Sequence, residues 1–231
     1  VVWLALFADY ILMTIVIPIF PVLQESEVST GMLFSAKAAL QIFSAPLVAS
    51  AVDDHGLRPL MLGLAIEVAS TLVFAFTQDY AIWFGARACQ GLASACILSS
   101  GFLHVQRAYA DDPPALGAAM GTVTTGIISG VVLGPPIGGI LYGVSTALPF
   151  LLLASLLAIV LIMTVILSCM MSSAATVPAD DPASPEGKRA NAHSKAVKLL
   201  ADSRITVVLG ALFVANAAIS CLEATIGMYA T

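Results

Sequence analysis

Apolar residues in this chain come in runs of about twenty, each closed off by a polar stretch. A run of about twenty is long enough for an α-helix to cross a hydrocarbon layer roughly 30 Å thick. Seven runs qualify: Val1–Leu23, Thr30–Val52, Pro59–Thr77, Ala81–Val105, Leu116–Tyr142, Ala147–Met171 and Ile205–Thr231. Most connections are short. The exception is Ser172–Arg204, which contains "VPADDPASPEGKRANAHSK". That composition cannot bury a core and predicts a mostly disordered linker. Its last part, "SKAVKLLADS", predicts a short surface helix leading into span seven. The pattern predicts an all-α polytopic membrane protein. Residues 1–171 would form a six-helix bundle, 172–204 a linker, and 205–231 a seventh helix that starts a second bundle. The chain begins and ends inside apolar runs, so a fragment is expected.

Composition agrees. The chain is 59% hydrophobic and 10% charged, with mean hydropathy +0.99. A soluble domain of 231 residues has too much surface to cover with so few charges. Orientation follows from nine basic residues. Lys37 and Arg87 lie within spans. Arg58, Arg107, Lys188, Arg189, Lys195, Lys198 and Arg204 all fall in connections 2–3, 4–5 and 6–7. The positive-inside rule places those connections, and hence the N-terminus, in the cytoplasm. Cys89, Cys96, Cys169 and Cys221 all sit in apolar runs, and no metal-ligand spacing occurs. The cysteines read as small apolar fillers. No nucleophile–base set or phosphate loop is present, so neither an enzyme nor a cofactor is expected. A nucleic-acid partner is not expected either.

Five charged residues fall within spans: Asp9, Lys37, Glu67, Arg87 and Glu223. Each costs about 2.5–3.5 kcal/mol at mid-membrane, so they should face the bundle interior, pair, and mark a pathway. Asp9 is mid-span, either a cation or proton site or an ion-pair partner that locks helices. Lys37 lies a turn or two inside span two, with both roles open. Arg87 lies early in span four, near the outer face. It can snorkel outward, but the adjacent Gln90–Gly91 favours a polar, close-packed site. Glu67 is read as nearer the cytoplasmic interface, with a structural role. Glu223 is deep in span seven, with Asn216 two turns before it on the same face. Three acids against two bases leave one carboxylate to bind a proton or a cationic ligand, unless a missing bundle supplies another base.

The stretch "GTVTTGIISGVVLGPPIGG", Gly121–Gly139, lies in a segment without charge from Leu116 to Met171. Gly126, Gly130, Gly134 and Gly138 recur every four residues, and Gly117 and Gly121 form a further pair. Such glycines line one helix face as a groove that lets another helix approach closely. Pro135 and Pro136 cannot donate backbone bonds, so the carbonyls of Val131 and Val132 lose their usual partners and a kink is favoured. A bent, tightly packed helix beside a cavity is expected.

The spacing of Gly121, Gly130, Gly134, Pro135, Gly138 and Gly139 resembles the antiporter motif in the fifth helix of the major facilitator superfamily. "RACQG", Arg87–Gly91, is similar to that superfamily's Arg-x-x-Gln-Gly motif. "ASAVDDHGLRP" resembles its loop 2–3 motif at Asp53, Gly56 and Arg58, with Ala49 replacing the usual glycine and Asp54 a basic residue. Within the superfamily, the vesicular amine (monoamine and acetylcholine) transporters are the nearest resemblance. The matching stretches are "ADYILMTIVIPIFP", "GMLFSAKAALQ", "ARACQGLASAC", "YADDPPALGAAMG", "VLGPPIGGILYG" and "FVANAAISCLEA".

The resemblance implies the N-terminal half of a twelve-helix major facilitator fold. It also implies a proton-coupled antiporter of small cationic amines, working in the bilayer by alternating access. Asp9 and Glu223 would meet the substrate ammonium, with Asn216 as a polar contact. Asp9, Lys37, Arg87 and Glu223 would form the network that couples protons. A monomer in a vesicle or other acidic-organelle membrane is implied. Two features depart from animal members: only "QESEVST" links the first two spans, and no Asn-x-Ser/Thr acceptor occurs. Two alternatives remain, a drug or polyamine exporter of the same superfamily and, less favoured, a seven-helix receptor.

Overall fold

The computed structural model describes residues 1–20 and 27–174, with side chains for all of these except 27, 50, 53–55 and 171–174. Six helices follow one another: α1 Val2–Ile15, α2 Glu27–His55, α3 Arg58–Phe76, α4 Tyr80–Ala108, α5 Pro113–Tyr142 and α6 Leu148–Ala174. No strand occurs among the described residues. Five of these helices contain stretches long and apolar enough to cross a membrane; α1 is apolar but only 14 residues long. The linker and the seventh span, including Asn216, Cys221 and Glu223, lie outside the described residues.

Local chemistry sets the ends. Asp79 caps α4, its carboxylate accepting from the backbone N–H of Ala81 at 2.8 Å and of Ile82 at 3.3 Å. Asp112 caps α5 through Ala115 N–H at 3.0 Å, and proline occupies the first turn, where no N–H is needed. Between α2 and α3 the chain reverses at Gly56, whose φ of +58° suits glycine. Here the structure corrects the sequence reading. Helix α2 runs past Val52 to His55, so Asp53 of the loop motif is on the helix, not in a loop. Within span one, expected to reach Leu23, α1 ends at Ile15, turns carry the chain from Val16 through Ile19, and Phe20 is helical again; residues 21–23 lie outside the described residues. Pro18 sits in those turns and has no N–H to continue the helix.

Helix α1 is the centre of the described bundle. It packs against α4, α5 and α6, and it buries Ala5, Leu6, Ala8, Asp9, Ile11, Leu12, Thr14 and Ile15. Helix α2 packs mainly on α4, and α3 on α4 and α6. Outward faces stay apolar, with Ile42, Phe43 and Leu47 on α2 and Val132 and Ile140 on α5 exposed. Such a surface suits lipid or another apolar bundle rather than water. Buried hydroxyls bond to carbonyls of their own helix: Thr71 to Glu67 O at 2.6 Å and Thr164 to Val160 O at 2.7 Å. In an apolar medium such back-bonding satisfies these two hydroxyls within their own helices.

The glycine stripe of α5 is its buried stripe: Gly126, Gly130, Gly134 and Gly138, joined only by Val123. Each lies against α1. A Cβ on Gly126 would stand 2.8 Å from Trp3 O, and one on Gly130 2.8 Å from Phe7 O. On Gly134 it would overlap Thr14 Oγ1, and on Gly138 the carbonyl oxygen of Ile15. Thr14 Oγ1 crosses the seam and donates to Gly130 O at 3.0 Å. Gly117, Gly121 and Gly139 meet nothing within 4 Å and lie off the seam. The helical assignment runs unbroken through Pro135 and Pro136, so the two prolines do not end α5. A Gly138→Ala substitution should therefore lower the stability of the purified protein by about 1–3 kcal/mol, since backbone oxygen cannot yield to the new methyl. Gly117→Ala should leave thermal unfolding unchanged or shift it slightly upward.

Candidate functional site

Four helices bring the described intramembrane charges together, three of them, α2, α3 and α4, through close backbone approach. A Cβ on Gly91 would overlap the carbonyl oxygen of Lys37, so α4 touches the backbone of α2 at that lysine. A Cβ on Gly63 would stand 2.8 Å from Ala93 O and from Cys96 Cβ, so α3 is equally close to α4. One turn along α3 from Gly63 is Glu67, and one turn along α4 from Gly91 is Arg87. Asp9 comes in from α1, buried together with its neighbours Ala8, Ile11 and Leu12.

The result is a cluster of Asp9, Lys37, Glu67, Arg87, Gln90 and Ser94, all buried. Lys37 Nζ donates to Asp9 Oδ1 at 3.0 Å, and Ser94 Oγ donates to the same oxygen at 2.5 Å. Arg87 Nη1 donates to Gln90 Oε1 at 2.9 Å. The guanidinium also faces three aromatic rings, its Cζ being 5.0 Å from the Phe20 centroid, 5.6 Å from Phe34 and 5.5 Å from Phe74. Those rings continue into Trp83, 5.7 Å from Phe20, and Phe150, 5.6 Å from Phe74. Ring faces attract a cation most strongly where water is excluded. The carboxyl of Glu67 lies beside that of Asp9, with Lys37 and Arg87 also near.

The geometry agrees with the favoured reading of Arg87, a polar, close-packed site beside Gln90, and alters that of Glu67. Arg87 does not snorkel outward; it is 1% exposed and enclosed by rings. Glu67 is not near an interface. It is the middle residue of α3, about 14 Å from either end, and is 0% exposed. Its mid-helix position was legible in the boundaries of span three. Ser94 was also legible, since Arg87, Gln90 and Ser94 follow the i, i+3, i+7 spacing of one helix face. The aromatic enclosure was not, because its rings come from separate elements that only packing joins.

The other expected site residues lie elsewhere. Arg58 begins α3 and is exposed. Gly56 makes the turn before it, and the side chain of Asp53 is outside the described residues. Among the described residues no group of three or more His, Cys, Asp or Glu could hold a metal.

A family model for the Major Facilitator Superfamily matches residues 2–231. The chain belongs to that superfamily. Members of it are transporters, and the all-helical bundle of apolar spans fits that assignment. Among similar proteins, the vesicular acetylcholine transporter of Mus musculus is 38% identical over 107 residues, which is 45% of this chain and 20% of that protein. The same transporter of Homo sapiens matches at the same identity and coverage. A Danio rerio protein described as probable vesicular acetylcholine transporter-B is 32% identical over 142 residues, 54% of this chain and 29% of that protein. The matches thus span less than a third of the length of these relatives.

The protein keeps its charges at a buried helix crossing, where Lys37 and Ser94 are the donors to Asp9. Lys37→Met should lower stability by about 3–5 kcal/mol, because it strands Asp9 beside Glu67. Adding Asp9→Asn should recover part of that loss. Denaturation of the two single variants and the double variant checks the coupling; full additivity would show that the pair does not interact.

Proposed function

We propose that the protein is a proton-coupled antiporter that moves a small cationic amine by alternating access. The observation that carries this reading is the buried cluster of two carboxyls and two basic groups. Intramembrane acids and bases are costly, and they mark proton relays and ion pathways in transporters. The relatives named as acetylcholine transporters supply the substrate class, a small organic cation.

In the proposed cycle, two helical bundles rock around a site near the midplane, opening it to one side at a time. A proton and an amine compete for negative charge. Each need only bind one of the two states more tightly to drive the exchange. Asp9 is the carboxylate assigned to this competition within the described helices, with Glu223 and Asn216 assigned the complementary part. Lys37 and Arg87 hold the network in register. Asp9 is engaged by Lys37 and Ser94, so in this reading amine binding requires that pair to rearrange. The clustering of basic residues in connections 2–3, 4–5 and 6–7 supports a cytoplasmic N-terminus. The membrane proposed is that of a vesicle or another acidic organelle, with the protein acting as a monomer.

The test is uptake by the full-length protein in liposomes with an acidic interior, using a panel of labelled amines that includes acetylcholine. Accumulation that needs the pH gradient and is abolished by a protonophore is expected. Asp9→Asn should reduce it at least about tenfold, since it removes the negative charge for which proton and amine compete, and each ~1.4 kcal/mol of lost attraction for the cation is tenfold. Accumulation indifferent to the gradient would remove the antiport reading; undiminished uptake by Asp9→Asn would remove Asp9 from it.

A further inference from the structure

Glu67 is absent from the resemblance that pointed to Asp9, Lys37 and Arg87, yet it sits among them. Its carboxyl is 0% exposed, and no N–H or O–H donates to either oxygen. The nearby guanidinium is in a matching condition. Arg87 spends Nη1 on Gln90, while its Nε and Nη2 are buried without an acceptor. An acceptor pair and a donor pair therefore lie unjoined in one closed core. The groups facing Glu67 are Asp9 from α1, Lys37 from α2 and Arg87 from α4.

Charge counting explains the arrangement. With all four groups ionised the cluster is neutral, but an ionised Glu67 would then lie against an ionised Asp9 with no donor of its own. A carboxylate so placed takes a proton rather than remain charged. Once neutral, it becomes a donor, and the adjacent Asp9 carboxylate is its acceptor. Arg87 then has no carboxylate partner and rests on the faces of Phe20, Phe34 and Phe74. Those faces hold a cation without accepting a hydrogen bond, which is the support a guanidinium needs when its carboxylate is protonated.

We infer that Glu67 is a proton-carrying switch between Asp9 and Arg87. Protonated, it donates to the adjacent Asp9 carboxylate. On losing its proton to water when the proposed cycle opens the site, it turns to the free Nε and Nη2 of Arg87 and forms a bidentate pair. Asp9 thereby loses its neutral neighbour, and the Lys37 and Ser94 contacts become its remaining ties. Levels along the helices allow the exchange. Gly63 lies against Ala93 and Cys96, so Glu67 lies level with residues around Cys89 and Gln90, within a turn of Arg87. This inference deepens the antiport reading, naming the group that holds the proton.

The experiment is a carboxyl infrared titration of the purified full-length protein in nanodiscs, with proton uptake counted alongside. It needs no substrate. Wild type should show a carboxylic-acid C=O band at neutral pH that Glu67→Gln lacks and Glu67→Asp restores. Across the same pH interval Glu67→Gln should take up about one proton fewer per chain than wild type. An unchanged band and unchanged uptake in Glu67→Gln would overturn the inference, as would the absence of any such band in wild type. If Glu67→Gln does not fold, the wild-type band decides. It must move when Arg87→Lys replaces the bidentate donor, and a band indifferent to that change would also overturn the inference. Failure of gradient-driven uptake in wild type would remove the antiport reading but leave this band to be measured.

Discussion

Everything in the described bundle is arranged around a pair of opposite charges kept out of water. Lys37 and Asp9 meet at 3.0 Å with both side chains buried. Removing two ions from water costs several kcal/mol each, and their attraction repays this only with good geometry and further hydrogen bonds. The structure supplies those. Ser94 adds a second donor to the same oxygen, and Gly91 removes the side chain that would hold α4 off α2. Helix α1, which carries Asp9, is clasped by the glycine stripe of α5 on another side. The charge pair and the two glycine seams are one construction, since the seams set the distance that the pair requires.

A second consequence concerns Arg87. A guanidinium sealed in an apolar core needs either a carboxylate or another source of negative potential. Here it has Gln90 and a wall of rings from Phe20, Phe34 and Phe74. The rings leave Arg87 free to gain or lose a carboxylate partner without stranding it. A permanent ion pair would be more rigid. An aromatic enclosure suits a residue whose partner changes charge, the role a coupled transporter asks of its intramembrane bases.

Much of the fold could be read from the chain. Runs of about twenty apolar residues gave the order of the helices, and the four-residue spacing of glycines gave the stripe that meets α1. Chain ends of helices were harder. Pro18 and the Gly56–Leu57 turn act over one or two residues, below the resolution of a hydropathy run. In the site, Asp9, Lys37 and Arg87 stood out because charges are rare in such spans. Glu67 stands out equally, and its central position in α3 argues for the core rather than for an interface. Which acid faces which base was not legible, because the crossings at Gly63 and Gly91 that set it depend on three helices at once. The aromatic enclosure was hidden for the same reason.

The claim on which the rest depends is that the charge cluster is enclosed by protein rather than spread along an open wall. Thiol accessibility measures this directly. In a cysteine-free background, Ser94→Cys replaces the Asp9-bonded hydroxyl with a group of similar size, and Asp111→Cys marks an exposed connection. A small polar thiol reagent should consume Asp111→Cys while Ser94→Cys stays unlabelled until the protein is denatured. Labelling of Ser94→Cys at the rate of Asp111→Cys, in folded protein at rest, would contradict an enclosed cluster.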